Sequence, residues 1–168
     1  MRNLFKIAGL LALTGFISSC NDKETTANYQ VIPLPQEFTT AQSQPFTLNG
    51  SVKIIYPEGN EKMQRNAQFL ADYLKKATGK DYAVEAGTEG KGAILLKLGM
   101  ESENPEAYQL SVNADGVTIA APTEAGVFYG IQTLRKSIPV AIGTTPSLPA
   151  VEISDYPRFS YRGAHFDV

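Results

Sequence analysis

The 168-residue sequence is poor in the residues that build metal sites and covalent crosslinks, since it has one cysteine and one histidine. A single cysteine cannot form a disulfide within the chain, so the fold has to rely on its hydrophobic core. With no spaced set of histidine and acidic residues, the sequence gives no basis for a metal site. We therefore predict neither a metal nor any other cofactor.

Motifs for nucleophilic catalysis and phosphate binding are also missing. No Gly-x-Ser-x-Gly elbow presents a serine, and the one histidine, His165, lies near the end of the chain. In the glycine-rich stretch AGTEGKGA, Gly92 leads into the strand-like AILLKL and not into a helix, which argues against a phosphate loop. The three glutamates between residues 101 and 106 are expected to be surface charges. We therefore predict no self-contained active site within residues 29–154.

The first twenty residues, MRNLFKIAGLLALTGFISSC, have the pattern of an export signal. A basic start precedes an apolar run from Ile7 to Ile17, which is too short to cross about 30 Å of hydrocarbon as a helix. The final ISSC resembles a bacterial lipobox, in which the peptide is cut before the cysteine and the cysteine is acylated. We expect residues 1–19 to be a lipoprotein signal peptide and Cys20 the lipidation site. An ordinary secretory signal with an incidental cysteine is the alternative.

The charge that remains after such processing is mildly acidic. Without residues 1–19 the chain has 13 basic and 17 acidic residues, a net charge of about −4. This balance argues against nucleic acid as a partner. Residues 20–28 are mostly polar and are expected to form a flexible tether. The protein is accordingly expected to be exported, and either lipid-anchored to the bacterial outer membrane or periplasmic.

The remaining sequence has short strand patterns and two helical ones. Strands are predicted in SVKIIYPEG, DYAVEA, GAILLKLG and SLPAVEISD, and YQVIPLPQEFTT suits an extended opening segment or edge strand because its prolines forbid a helix. EAYQLSVNADGVTIAAP indicates a hairpin with Asp115 and Gly116 at its turn. This order predicts an α+β domain over residues 29–154: a two-layer sandwich with a mixed β-sheet and two helices on one face.

Both helices are predicted from apolar side chains that recur every three or four residues. The two stripes are Met63, Ala67, Leu70, Leu74 and Ala77, then Val127, Ile131, Leu134 and Ile138. Gly79 is expected to end the first helix, and Thr123 to cap the second. Gly126 and Gly130 lie on one stripe of the second helix, where another backbone could approach closely or where glycine is merely tolerated.

The C-terminal stretch PRFSYRGAHFDV, Pro157 to Val168, is rich in charged and aromatic residues. SYRGAHFDV suits a strand, and the two-residue period separates Arg162, Ala164 and Phe166 from Gly163, His165 and Asp167. Such a strand is either an edge of this sheet or the first strand of a following domain.

Three motifs in the second half of the chain resemble glycoside hydrolase family 20, the β-N-acetylhexosaminidases. They are the helix AGVFYGIQTLR, the linker DYPRF (Asp155–Phe159) and an Arg-Gly pair followed by Asp167, and VIPLPQE is similar to the opening of the family. The resemblance extends from about Tyr29 to Val168. It implies that residues 155–168 are the linker and the first strand of a (β/α)₈ or TIM barrel, truncated after that strand.

The resemblance implies a full-length exo-β-N-acetylhexosaminidase that removes terminal β-linked N-acetylglucosamine or N-acetylgalactosamine from glycans. In this family the 2-acetamido carbonyl of the substrate is the nucleophile, a glutamate is the acid/base and an aspartate orients the acetamido group. That pair would follow Val168, so no catalytic residue is expected in this fragment, which is predicted to be inactive without its barrel.

One substrate contact of the family maps onto this chain, at Arg162. The resemblance implies that Arg162 binds sugar hydroxyls, for which the fork of a guanidinium is well suited. His165 matches the family less clearly and is expected to be structural. Two alternatives remain: a non-catalytic carbohydrate-binding or scaffold lipoprotein, and a related retaining glycosidase that acts on other sugars.

Overall fold

The structure, a computed structural model, describes residues 23–166. The elements in chain order are β1 (Lys23–Thr26), β2 (Glu37–Thr40), β3 (Phe46–Thr47), β4 (Lys53–Tyr56), α1 (Glu61–Thr78), β5 (Val84–Ala86), β6 (Ala93–Leu98), β7 (Tyr108–Asn113), β8 (Gly116–Ala121), α2 (Glu124–Ser137), β9 (Thr144–Leu148) and β10 (Val151–Asp155). They form an α+β domain, which confirms the predicted class.

Seven strands form the main sheet, in the order β2-β10-β7-β8-β6-β4-β5. The sheet is mixed: β5, β4, β6 and β8 run parallel to one another, while β7, β10 and β2 continue the sheet from β8 with antiparallel pairings. Helix α1 packs on β4 and β5, helix α2 packs on β7 and β8, and the two helices contact each other. Both helices therefore lie on one face, and the two-layer arrangement is confirmed.

A second sheet, β1-β9-β3, was not predicted. Strand β1 pairs in parallel with β9, and after it the N–H of Ala27 donates to the carbonyl of Ser147 at 2.9 Å. Main-chain hydrogen bonds thus anchor Lys23–Thr26, although its side chains are polar. This part of residues 20–28 does not form the flexible tether that was expected. Cys20 lies outside the described residues.

Helix α1 ends where predicted and has the predicted buried face. The Asn60 side chain caps it by accepting from the N–H of Met63 at 3.0 Å. Gly79 ends it with a φ of 78°, and its N–H donates to the Lys75 carbonyl at 2.8 Å. All five residues of its apolar stripe are buried, and full burial of a leucine side chain contributes about 1.5–3 kcal/mol.

Helix α2 lies unusually close to the β7–β8 hairpin because of its two glycines. A Cβ at Gly126 would collide with the carbonyl of Ala107, and one at Gly130 would lie 2.5 Å from Cγ2 of Ile119. The predicted close packing is confirmed, as are the Thr123 cap and the buried apolar stripe. This close contact brings the side chains further along α2 beside the start of β7.

The turn of the hairpin differs from the prediction. Asn113 is paired with Gly116, so Ala114 and Asp115 connect the strands. Gly116, with a φ of 148°, is the first residue of β8, where a Cβ would lie 2.5 Å from the carbonyl oxygen of Ala93. A glycine is needed at this position for the close approach of β6, and not for the turn itself.

We expect Gly126→Ala to lower the free energy of unfolding by about 1–3 kcal/mol, because the added methyl overpacks the contact with Ala107. This cost should outweigh the advantage of about 1 kcal/mol that alanine has over glycine in a helix. Gly50→Ala is the matched control, since its Cβ would make only an ordinary contact with Lys80 at 3.8 Å. Urea unfolding followed by circular dichroism measures both, and equal midpoints would contradict the prediction.

Candidate functional site

A cavity of about 620 Å³ opens where three parts of the chain meet. Its walls are the segment Val31–Gln36, one side of α2, and the linker Asp155–Phe159 together with Arg162. The two flanking segments lie side by side because β2 pairs antiparallel with β10, with Glu37 opposite Ser154. We call this space the linker cavity.

A buried hydrogen-bond network forms the floor of the linker cavity. The hydroxyl of Tyr108 lies 2.6 Å from Oγ1 of Thr133 and donates to Oδ2 of Asp155 at 3.2 Å. The other oxygen of Asp155 accepts from the N–H of Gln36 at 3.1 Å. Burial raises the pKa of the Tyr108 hydroxyl far above its usual range, so this group remains a donor. One carboxylate thus connects the N-terminal segment, β7 and the linker.

One wall holds an ion pair that the sequence did not reveal. Nη2 of Arg162 lies 2.9 Å from both carboxylate oxygens of Glu106, and the hydroxyl of Tyr129 donates to the same carboxylate at 3.0 Å. A hydrogen bond from Arg162, and a smaller contribution from that of Tyr129, hold the pKa of the Glu106 carboxyl below its usual value. The same pair raises the pKa of Arg162. Glu106 is therefore ionised throughout the neutral range.

The expectation that Glu106 is a plain surface charge is wrong, whereas Glu101 and Glu103 are exposed as predicted. Glu106 is half-buried because the chain turns at Asn104, whose side chain accepts from the N–H of Glu106 at 2.9 Å. The turn aims Glu106 toward α2, just before β7. Its position directly ahead of a buried strand was the signal available in the sequence.

Arg162 does not lie in a strand, and neither do the other described residues of the C-terminal tail. Strand β10 already has β2 on one side and β7 on the other, so the chain that leaves it meets no free sheet edge. Arg162 instead turns back to Glu106, and its Nη1 donates to the carbonyl of Phe159 at 2.7 Å. Nothing in this arrangement tests its predicted contact with a sugar, and Asp167 lies outside the described residues.

Gln132 adds an unsatisfied polar group to the helical wall of the cavity. Its Oε1 accepts from Nε of Arg135 at 2.6 Å. Its Nε2 is buried and has no hydrogen-bond partner within residues 23–166. A buried donor in this state costs about 1–3 kcal/mol. The wall therefore carries a donor that an acceptor from elsewhere could satisfy.

The chemistry of the linker cavity suits binding and positioning more than catalysis. Its two carboxylates, Glu106 and Asp155, are both engaged in hydrogen bonds, and Glu106 is held ionised, so it is a poor general acid. Over the part of the chain that the structure describes, no cluster of three or more histidine, cysteine, aspartate or glutamate residues is arranged for a metal ion. Over the same part, no helix is both long and apolar enough to cross a membrane.

Comparison with known proteins gives a consistent result. The chain is 31% identical to the β-hexosaminidase of Porphyromonas gingivalis (strain ATCC BAA-308 / W83) over 147 residues, which are 82% of this chain and 18% of that protein. It is 30% identical to a β-N-acetylhexosaminidase of Cellulomonas fimi over 141 residues, 82% of this chain and 28% of that protein. The solved GH20 β-N-acetylhexosaminidase of Streptomyces coelicolor A3(2) superposes with a TM-score of 0.71 at 31% identity, over 79% of this chain and 27% of that one.

The chain thus spans less than a third of the length of each of these relatives. Residues 28–156 match the family model for glycosyl hydrolase family 20, domain 2. The matched region begins just after β1 and ends in the linker, so it contains the main sheet, both helices and most of the walls of the linker cavity. On these grounds the chain belongs to glycoside hydrolase family 20.

Proposed function

We propose that this chain is the accessory domain of a larger exo-β-N-acetylhexosaminidase. Its substrates would be glycans with terminal β-linked N-acetylglucosamine or N-acetylgalactosamine. The observation that carries the proposal is the family match over residues 28–156. The names of the relatives, β-hexosaminidase and β-N-acetylhexosaminidase, support the substrate class. Their greater length supports a larger protein.

The proposed reaction needs groups beyond those of the accessory domain. By the resemblance to the family, the acetamido carbonyl of the substrate attacks the anomeric carbon, a glutamate acts as acid/base and an aspartate orients the acetamido group. We assign that pair to a (β/α)₈ barrel after the linker, because such a barrel builds its active site from the ends of several strands. The tail after the linker would become the first of those strands.

Arg162 is the residue of this chain that we assign to the sugar. A guanidinium donates two parallel hydrogen bonds, which fits two adjacent hydroxyls better than a lysine would. In this role the side chain would have to leave Glu106. It is 42% exposed in that pair, and ion pairs so open to water are weak, so the exchange is physically reasonable.

We also propose that Cys20 is acylated after removal of residues 1–19, which would place the protein at the bacterial outer membrane or in the periplasm. The support is the sequence alone: a basic start, the apolar run from Ile7 to Ile17 and the lipobox-like ISSC. An anchor of this kind would bring the enzyme close to glycans outside the cytoplasm.

We expect the 168-residue chain alone not to hydrolyse an aryl β-N-acetylglucosaminide, and the longer product of the gene to do so. In the longer product, Arg162→Ala should lower kcat/KM by at least about 100-fold, since the two hydrogen bonds from this charged group contribute about 1.5–3 kcal/mol each. Arg65→Ala, on the outer face of α1, is the matched control and should have no effect. Initial rates of aryl release measure each variant.

Two results would contradict the proposed function. Turnover by the 168-residue chain, abolished by Arg162→Ala, would place a complete site in this chain. A stop codon directly after Val168 would instead favour the non-catalytic carbohydrate-binding or scaffold lipoprotein.

For the anchor, we expect the wild-type protein in the membrane fraction of its bacterial host and the Cys20→Ser variant in the soluble fraction. The thiol is the acylation site, and serine cannot replace it. Fractionation followed by immunoblotting measures the distribution, with Ser19→Ala as a control that retains the cysteine. A wild-type protein found in the soluble fraction would refute the lipid anchor.

A further inference from the structure

The loop between α2 and β9 exposes two aliphatic side chains. Val140 is 70% exposed and Ile142 is 77% exposed. The loop itself is held in place, because the N–H groups of Ala141 and Gly143 donate to carbonyls at the end of α1, each at 2.9 Å. Backbone hydrogen bonds thus fix a loop whose two large apolar side chains face solvent. We call residues 139–143 the apolar loop.

Basic side chains lie at the same end of the domain as the apolar loop. They belong to the last turns of both helices, to the segment after α1 and to the start of β1: Lys75, Lys76, Arg135, Lys136, Lys80 and Lys23. The amine of Lys80 donates to the hydroxyl of Thr145 on β9. In the helical layer and the three-stranded sheet that the structure describes, the carboxylates near this end are Glu24, Asp72 and Asp81. Cations therefore outnumber carboxylates around the apolar loop.

The chain enters the domain beside the apolar loop. Lys23, the first residue of β1, pairs with Thr144, which directly follows the loop. Cys20 precedes Lys23 by three residues in the sequence, and three peptide links reach at most about 11 Å. A lipid on Cys20 would therefore hold this end of the domain, and no other, close to a bilayer.

The size and charge of this surface favour a bilayer over a protein as its partner. Two aliphatic side chains offer far less contact than the roughly 800 Å² that each partner contributes to a stable protein complex. A bilayer requires only a small apolar insertion from a domain that a nearby anchor already holds at high effective concentration. Anionic headgroups attract lysines, whose long stems let the amines stay at the headgroups while Val140 and Ile142 lie deeper.

We propose that the apolar loop and the basic side chains around it form a membrane-docking face, which inserts Val140 and Ile142 into a bilayer that contains anionic lipids. The inference rests on the lipid anchor in the proposed function and adds a fixed orientation to it. Helix α1 ends at this face, and its 18 residues extend about 27 Å away from it. Glu58, which lies just before α1, would therefore be far from the lipid.

Tryptophan fluorescence of the lipidated 168-residue chain in vesicles tests this orientation. The chain has no tryptophan, so Ile142→Trp reports on one position, and Glu58→Trp, at an exposed residue on the opposite end, is the matched control. The vesicles contain phosphatidylglycerol and phosphatidylcholine with brominated acyl chains, which quench tryptophan on contact. Quenching at position 142 should exceed that at position 58 at least about twofold, because an inserted side chain reaches the acyl boundary.

Equal quenching at positions 142 and 58 would overturn the proposal, as would stronger quenching at position 58. Val140→Trp repeats the measurement at the second aliphatic position, so a folding defect of one variant does not decide the outcome. In the longer gene product, with the wild-type signal subtracted, the same difference should persist. Its loss there would show that another domain covers the apolar loop, which would also overturn the proposal.

A pair of lysine variants tests the charge of the docking face in the Ile142→Trp background. Lys76→Ala should shift the balance of docked and undocked domain about fivefold toward the undocked form, since each lysine contributes separately to binding an anionic surface. Lys62→Ala is the matched control, because Lys62 is an exposed lysine of the same helix at its opposite end. Quenching should fall only for Lys76→Ala, and equal quenching for the two variants would contradict the proposed face.

These outcomes separate the docking face from the proposed function. A lipidated chain with equal quenching at both ends would keep the anchor and refute the docking face, whereas a wild-type chain without lipid would refute both. Hydrolysis of an N-acetylhexosaminide by the longer product bears on the enzyme alone.

Discussion

The contact between α2 and the β7–β8 hairpin determines where the polar side chains of the linker cavity lie. Gly126 and Gly130 allow the helix to rest almost directly on the strands. At that distance Thr133 reaches the hydroxyl of Tyr108, and Tyr129 reaches Glu106. Any larger residue at the two glycines would push the helix outward and separate both pairs. The geometry of the linker cavity therefore depends on glycine at both positions.

One side chain connects this helix–hairpin contact to the linker. Asp155 is the last residue of β10, and its carboxylate binds both the Tyr108 hydroxyl and the backbone of the N-terminal segment. It fixes the direction in which the chain leaves the sheet.

Local patterns in the sequence predicted the elements well, and long-range contacts account for what they missed. The stripes of α1 and α2, the caps at Thr123 and Gly79 and the small residues at the helix contact are local or periodic features, and they were all predicted. The three-stranded sheet was missed because β1 pairs with a strand about 120 residues away, mainly through backbone hydrogen bonds. Glu106 was missed for the same reason, since its partners Tyr129 and Arg162 come from distant parts of the chain.

The central proposal, that this chain is the accessory domain of a larger β-N-acetylhexosaminidase and contributes Arg162 to its sugar site, has a direct structural test. A crystal structure of the longer gene product with N-acetylglucosamine bound would show where the guanidinium of Arg162 lies. The account predicts Arg162 on the sugar hydroxyls and no longer on the carboxylate of Glu106. Arg162 still paired with Glu106 and out of reach of the bound sugar would contradict it.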